Sequence, residues 1–204
     1  YNPALKSQRF FVPGTAASLL IIITTLVTAM GLARERELGT LEQLLVTPIG
    51  PFTLMLGKMV PYAMFGLLDV ALILLIGNLV FGVPLHGDLA VLAFASCAYL
   101  LCTLSAGLLI AASAKTQQRA FMGGFFVMLP AMLLSGFMTP IEAMPHWIQP
   151  ITLINPMTHF VQVLRSVLLR GAGWHDVQRP IAWLLGIGSV LLTLAALRFR
   201  RKLA

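Results

Sequence analysis

Five long and nearly uncharged apolar stretches, at residues 12–32, 54–81, 89–113, 120–139 and 181–199, constrain this chain more than anything else in its sequence. A hydrocarbon layer about 30 Å thick takes roughly 20 residues of α-helix to cross, and each stretch meets that length. Lipid offers the backbone no water to bond with, so a spanning segment must be a helix or a strand of a closed barrel. Unbroken apolar runs lack the in-out alternation of a barrel strand. The sequence therefore predicts an all-α membrane protein, a single transmembrane domain over residues 1–204 with about five transmembrane helices.

Composition points the same way. The chain is 58% apolar and 10% charged with a mean hydropathy of +0.90, whereas soluble domains carry about 25% charged residues. Lys and Arg number 14 against 7 Asp and Glu. A nucleic-acid partner would need those cations gathered on one face, but they fall between the apolar runs, where they set topology. If the loop after the first span is cytoplasmic, the inner set is Arg34, Arg36, Lys58, Lys115, Arg119, Arg198, Arg200, Arg201 and Lys202. The outer set is the smaller one: Lys6, Arg9, Arg165, Arg170 and Arg179. The C-terminus is then cytoplasmic and Tyr1 external, and because Tyr1 is not an initiator methionine, a preceding span and an external segment are expected in a longer gene product. Cys97 and Cys102, five apart in one apolar run, point to different sides of a helix and read as small packing residues.

Residues 33–48, ARERELGTLEQLLVTP, join the first two spans and are longer and better patterned than a turn requires. Leu38, Leu41, Leu44 and Leu45 recur at helical spacing, with Glu35, Arg36, Glu37, Glu42 and Gln43 around them. Thr40 and Gln43 have capping-box spacing, and Gly39 permits a bend just before. The segment reads as an amphipathic helix at the membrane surface, either a docking element or an anchor for the loop.

The run R-E-R-E-x-G-T-x-E-Q-L-x-x-T-P over residues 34–48, with the later N-P-M-T-H-F over 155–160 followed by Arg165 and Gly171, resembles the membrane subunits of type-2 ABC exporters. These are the bacterial drug and polysaccharide efflux permeases. Asn2-Pro3 and Val12-Pro13-Gly14 are similar to the family's entry into its second span, so the likeness covers the C-terminal five of six spans, without the first span and the external domain after it. The resemblance implies a permease subunit, not an enzyme, in the bacterial inner membrane, paired with a second permease subunit and with a cytoplasmic ABC ATPase that carries ATP and Mg. No cofactor is expected on this chain, which has no G-x-x-x-x-G-K-[ST] phosphate loop. It further implies that a coupling helix over about 34–47, including Glu35, Arg36, Glu37, Gly39, Thr40, Glu42 and Leu44, sits in a cleft of the ATPase. Glu35 and Glu42 would meet basic residues there.

Residues 140–171 are interrupted by Pro140, Pro145, Pro150 and Pro156, too often to cross the bilayer as one helix. Asn155 as N-cap, Pro156 at the first helical position and Gly171 as the stop predict a helix of about four turns. On it Met157, Phe160, Val161, Leu164 and Leu168 face one way, and His159, Gln162 and Ser166 another. The family resemblance implies an external re-entrant helix pair that gates the pathway, with Asn155, Pro156, His159, Phe160 and Arg165 on the gate helix; a plain surface helix is the alternative. Asp69 lies mid-span, where an ionisable group is costly. It lines a pathway, pairs with Asn78, Arg119 or a residue of a preceding span, or is a protonated or bundle-facing carboxyl held by a neighbouring hydroxyl. Lys58, eleven residues earlier, is expected to snorkel to the cytoplasmic surface.

Small residues in Ser105-Ala106-Gly107, Gly123-Gly124 and Gly186-Ile187-Gly188 predict close helix contacts. His86, His146, His159 and His175 are scattered and no H-E-x-x-H occurs, so neither a metal site nor a catalytic group is expected. The leading expectation is a drug-type efflux permease. Export of polysaccharide or lipid-linked glycan is the alternative within the family; an intramembrane lipid-modifying enzyme and a membrane scaffold are alternatives outside it.

Overall fold

A computed structural model describes residues 7–40, 51–80, 82 and 87–201. Over these the chain is helical, without a strand: α1 (Ser7–Glu37), α2 (Pro51–Leu79), α3 (Leu89–Ser113), α4 (Gln117–Leu133), a 3-10 turn (Ile141–Ala143), α5 (Gln149–Thr152), α6 (Pro156–Arg170) and α7 (Trp174–Arg201). Four stretches among the described residues are long and apolar enough to cross a membrane: Phe11–Glu37, Leu56–Leu79, Leu89–Ser113 and Trp174–Phe199.

The span expected at 120–139 is not one continuous helix. α4 has 17 residues, about 25 Å at 1.5 Å per residue, and the chain turns immediately beyond it. Ser135 Oγ donates to the Met132 carbonyl at 2.7 Å and accepts from the Phe137 amide at 3.2 Å, while Gly136 takes φ +74°. Residues 134–138 are mostly apolar, yet local hydrogen bonds carry them out of the helix. Elsewhere the helices outrun the hydropathy: α1 extends past 12–32 at both ends, and α7 begins seven residues before 181.

α3 stands at the centre, packed most extensively against α7 and α1 and touching α2, α4 and α6. Several hydroxyls of α1 and α3 turn inward. Thr24 Oγ1 of α1 bonds to Thr103 Oγ1 of α3 at 2.8 Å, and Thr25 Oγ1 donates to the Thr103 carbonyl at 3.3 Å. The outer surface carries hydrocarbon instead, with Phe65, Leu72, Phe126 and Val190 all exposed. An apolar exterior around a core that is itself largely apolar, with hydroxyls bonded between helices inside it, fits lipid as the surrounding medium.

Two contacts set the geometry of the core. A Cβ added at Gly107 would stand 2.8 Å from the Thr25 carbonyl oxygen and 2.9 Å from Thr28 Cβ, so α1 and α3 meet backbone to backbone there. Nearer the other end of the bundle, the Tyr99 ring stacks on Phe160 of α6 at 4.2 Å between centroids, and its hydroxyl donates to the Ala17 carbonyl at 3.2 Å. One fully buried side chain thus joins α3, α6 and α1. α3 and α7 run in the same direction, since Phe94 meets Trp174 and Cys102 Sγ meets the Leu184 carbonyl. Arg198 therefore lies at the end of the bundle where Ala114 follows α3.

Because Gly107 has no room for a branched side chain, Gly107→Val forces α1 and α3 apart. It is expected to cost about 1–3 kcal/mol, read as a lowered melting temperature in detergent micelles; an unchanged melting temperature refutes the close crossing.

Candidate functional site

Glu35, Arg36 and Glu37 form the last turn of α1 rather than part of a separate helix. The break comes at Leu38 and Gly39, where Gly39 takes φ +71°, a left-handed conformation that costs glycine nothing. Thr40 Oγ1 donates back to the Glu35 carbonyl at 3.0 Å, closing the end of α1. Gln43, its expected capping partner, lies outside the described residues together with Glu42 and Leu44, as does the second half of the predicted helix over 34–47.

Each of the three charged residues is engaged inside the chain. Glu35 forms an ion pair with Lys58 of α2, so Lys58 does not simply snorkel to the surface, and this carboxylate already has a cation on hand. Arg36 Nη1 donates to the Ala114 carbonyl at 3.1 Å. Ala114 is the C-cap of α3, so a guanidinium sits at the negative end of that helix dipole. Glu37 accepts from Gln117 Nε2 at 3.0 Å, at the first residue of α4. There the sign is reversed: a carboxylate faces the positive end of a helix. The turn before Gly39 is thereby bound to α2, to the end of α3 and to the start of α4. Sequence reading picked out the triplet but none of its partners, which lie 23, 78 and 80 residues away.

Towards the other end of the bundle, the helix predicted from Asn155 to Gly171 is present as α6. Asn155 accepts from the Met157 amide at 3.1 Å, Pro156 opens the helix, and Gly171 ends it with φ +62°. Asn155 also reaches sideways, donating from Nδ2 to the Ala131 carbonyl of α4 at 2.7 Å. Thr158 Oγ1 donates to the Leu134 carbonyl at 3.2 Å, and Arg165 Nη2 donates to the Gly136 carbonyl at 3.4 Å. Three side chains of the 155–165 stretch thus fasten it to α4 and its terminating turn. Phe160 is buried under Tyr99.

His159 does not share the outer face with Gln162. It is buried, with Nε2 2.8 Å from the Leu153 carbonyl and the ring parallel to Trp183 of α7, centroids 5.7 Å apart. A carbonyl can only accept, so Nε2 carries a proton. Asp69 lines a groove between α1 and α2, and its Oδ2 is buried without a hydrogen-bond partner among the described residues. No group of three or more His, Cys, Asp or Glu able to hold a metal ion occurs among the described residues.

The described residues thus form a set of membrane-length helices with a charged joint tied to three helices at one end and a capped helix tied to α4 towards the other. Residues 1–197 match the family described as ABC-2 family transporter protein, and the chain belongs to that family. It is 39% identical over 202 residues to the probable multidrug ABC transporter permease YbhR of Escherichia coli (strain K12), covering 99% of this chain and 55% of that protein. It is likewise 39% identical over 175 residues to YbhS of the same strain, also named a probable multidrug ABC transporter permease, covering 84% and 46%. Linearmycin resistance permease protein LnrN of Bacillus subtilis (strain 168) is 30% identical over 185 residues, covering 89% and 46%. The chain spans about half the length of the curated relatives it matches.

Asn155→Ala removes both the helix cap and the tie to α4, with an expected loss of about 2 kcal/mol. Asn155→Asp keeps the acceptor for Met157 and loses the donor to Ala131, so its loss should be smaller. Thermal unfolding of the two variants in detergent checks that order, and equal losses rule out a separate contribution from the cap.

Proposed function

We propose that this chain is the permease subunit of an ABC exporter that moves hydrophobic or amphiphilic compounds of the drug type out across the inner membrane. In this reading a separate cytoplasmic ATPase binds and hydrolyses ATP with Mg, two permease subunits together enclose the pathway, and the end of the bundle bearing Arg36 faces the cytoplasm. The relatives' names, two probable multidrug permeases and one linearmycin resistance permease, support the cargo class.

The observation that carries the mechanism is the triple tie before Gly39. The segment that follows Gly39 would receive a push when the ATPase closes. A mobile loop would absorb that push. Here the turn joining the segment to α1 is bonded through Glu35 to α2, through Arg36 to α3 and through Glu37 to α4. Displacement at Thr40 and beyond is therefore delivered to four helices at once. Glu42, on the other side of the joint, is the candidate to meet a basic residue of the ATPase. At the far end, Asn155, Thr158 and Arg165 link α6 to α4, so movement of α4 carries the external gate helix with it.

Two measurements test this. In the transporter assembled with its ATPase in lipid vesicles, reversing the two dipole-facing charges (Arg36→Glu with Glu37→Arg) is expected to abolish stimulation of ATP hydrolysis by substrate. Retained stimulation removes the tie from the mechanism. A cysteine placed at the exposed Leu38 should react with a membrane-impermeant maleimide only from the cytoplasmic side; labelling from outside overturns the orientation, and the docking role with it.

A further inference from the structure

α2 is the least covered of the four long apolar helices, and its contact with α1 encloses a groove of about 510 Å³. Ile23 and Val27 of α1 and Phe65, Leu68 and Leu72 of α2 make the walls. Tyr62 stands at one end, its hydroxyl so close to Gly31 that a Cβ there would collide with it. Seven residues on, two turns along the same face and about 10 Å away, is Asp69. The approach is close because Gly66 lies between them: a Cβ on Gly66 would stand 2.4 Å from Leu100 Cδ2 and 3.1 Å from Thr24 Cγ2.

Nothing in the described part of the chain answers the carboxylate. Its Oδ2 is inaccessible and has no hydrogen-bond partner. The one nearby hydroxyl in the groove wall, on Thr24, already donates to the Leu20 carbonyl and bonds to the Thr103 hydroxyl. Lys58, the cation of the same helix, is held by Glu35 and lies eleven residues away, about 16 Å along the axis. A carboxyl in an apolar, water-poor setting is expensive to leave unmatched. The residue is nevertheless only half-buried and opens on the groove, so an outside group can reach it. A lipid headgroup is held at the interface near Lys58, too far away to do so. What fits is a positive charge carried into the hydrocarbon on an apolar body.

We propose that the groove between α1 and α2 is a binding site for hydrophobic cations, with Asp69 as the counter-ion and Phe65, Leu68 and Leu72 as the apolar bed. The site rests on the transport reading for its purpose, since it names a substrate class for the exporter, but the binding event itself can be measured apart from transport. Phe65 adds an aromatic ring that attracts a cation as well as covering its apolar body.

The full-length transporter with its ATPase in lipid nanodiscs provides the test. Tetraphenylphosphonium and tetraphenylborate are nearly the same shape and opposite in charge. The wild type is expected to bind the phosphonium and not the borate. Asp69→Asn should weaken phosphonium binding roughly tenfold or more, and Asp69→Glu, which keeps the charge, should hold most of it; melting curves of both variants report folding independently. Equal binding of the two ions, or phosphonium binding indifferent to Asp69→Asn in a folded variant, overturns the site while leaving substrate-stimulated ATP hydrolysis to judge the transport reading. Charge-selective, Asp69-dependent binding without stimulation by any amphiphile leaves the site standing and removes the transport reading. Cross-linking of a cysteine at Leu72 to a second copy in most molecules means that the partner subunit covers the groove, and this also overturns the proposal.

Discussion

Hydrocarbon on the outside leaves the polar side chains of this protein only its interior, and the α1–α3 crossing is where that constraint is met. Thr24, Thr25 and Thr103 bond to one another across the interface, and Gly107 lets the two backbones come close enough for them to do so. In lipid the hydrophobic effect gives helices no reason to associate, so shape and these few hydrogen bonds must hold them. α7, α6 and α4 then assemble around the pair, and Tyr99 locks α6 against it by stacking on Phe160 while reaching the backbone of α1.

The ends of the bundle follow a different rule. There the backbone carbonyls and amides left over at helix termini attract side chains of matching character. Arg36 bonds to the backbone at the carboxyl end of α3, and Glu37 to the Gln117 side chain at the amino end of α4, two neighbouring residues of opposite charge serving two helix ends on either side of a short loop. Asn155 works in the same currency, capping its own helix with its carbonyl oxygen and bonding to α4 through its amide. These polar joints connect what the apolar core would otherwise leave free to slide.

Much of this architecture is legible along the chain because its causes are local. A helix long enough to span a membrane needs only a run of apolar residues, and α1, α2, α3 and α7 follow from such runs. α6 follows from Asn155, Pro156 and Gly171, each acting within one turn of itself. The end of α4 was not legible in hydropathy, because Ser135, Gly136 and Phe137 form a turn from residues that are mostly apolar. His159 was misplaced for a related reason: periodicity assigns a face to a helix, but not the neighbour that covers it, here Trp183. Asp69 could be singled out by its depth alone, yet its missing partner and the groove beside it depend on how α1 and α2 cross at Gly66.

By itself, then, the sequence determined that the chain lives in lipid, where most of its helices fall, which glycine bends the charged segment, and, through motifs 34–48 and 155–160, its family. These properties depend on residues within a few turns of one another and on the solvent around them. Only the tertiary structure decided that Glu35, Arg36 and Glu37 each hold a different helix, that α6 hangs from α4, and that an unmatched carboxyl borders an apolar groove. Such pairings join residues tens of positions apart, and no local pattern encodes the distance at which two helices come to rest.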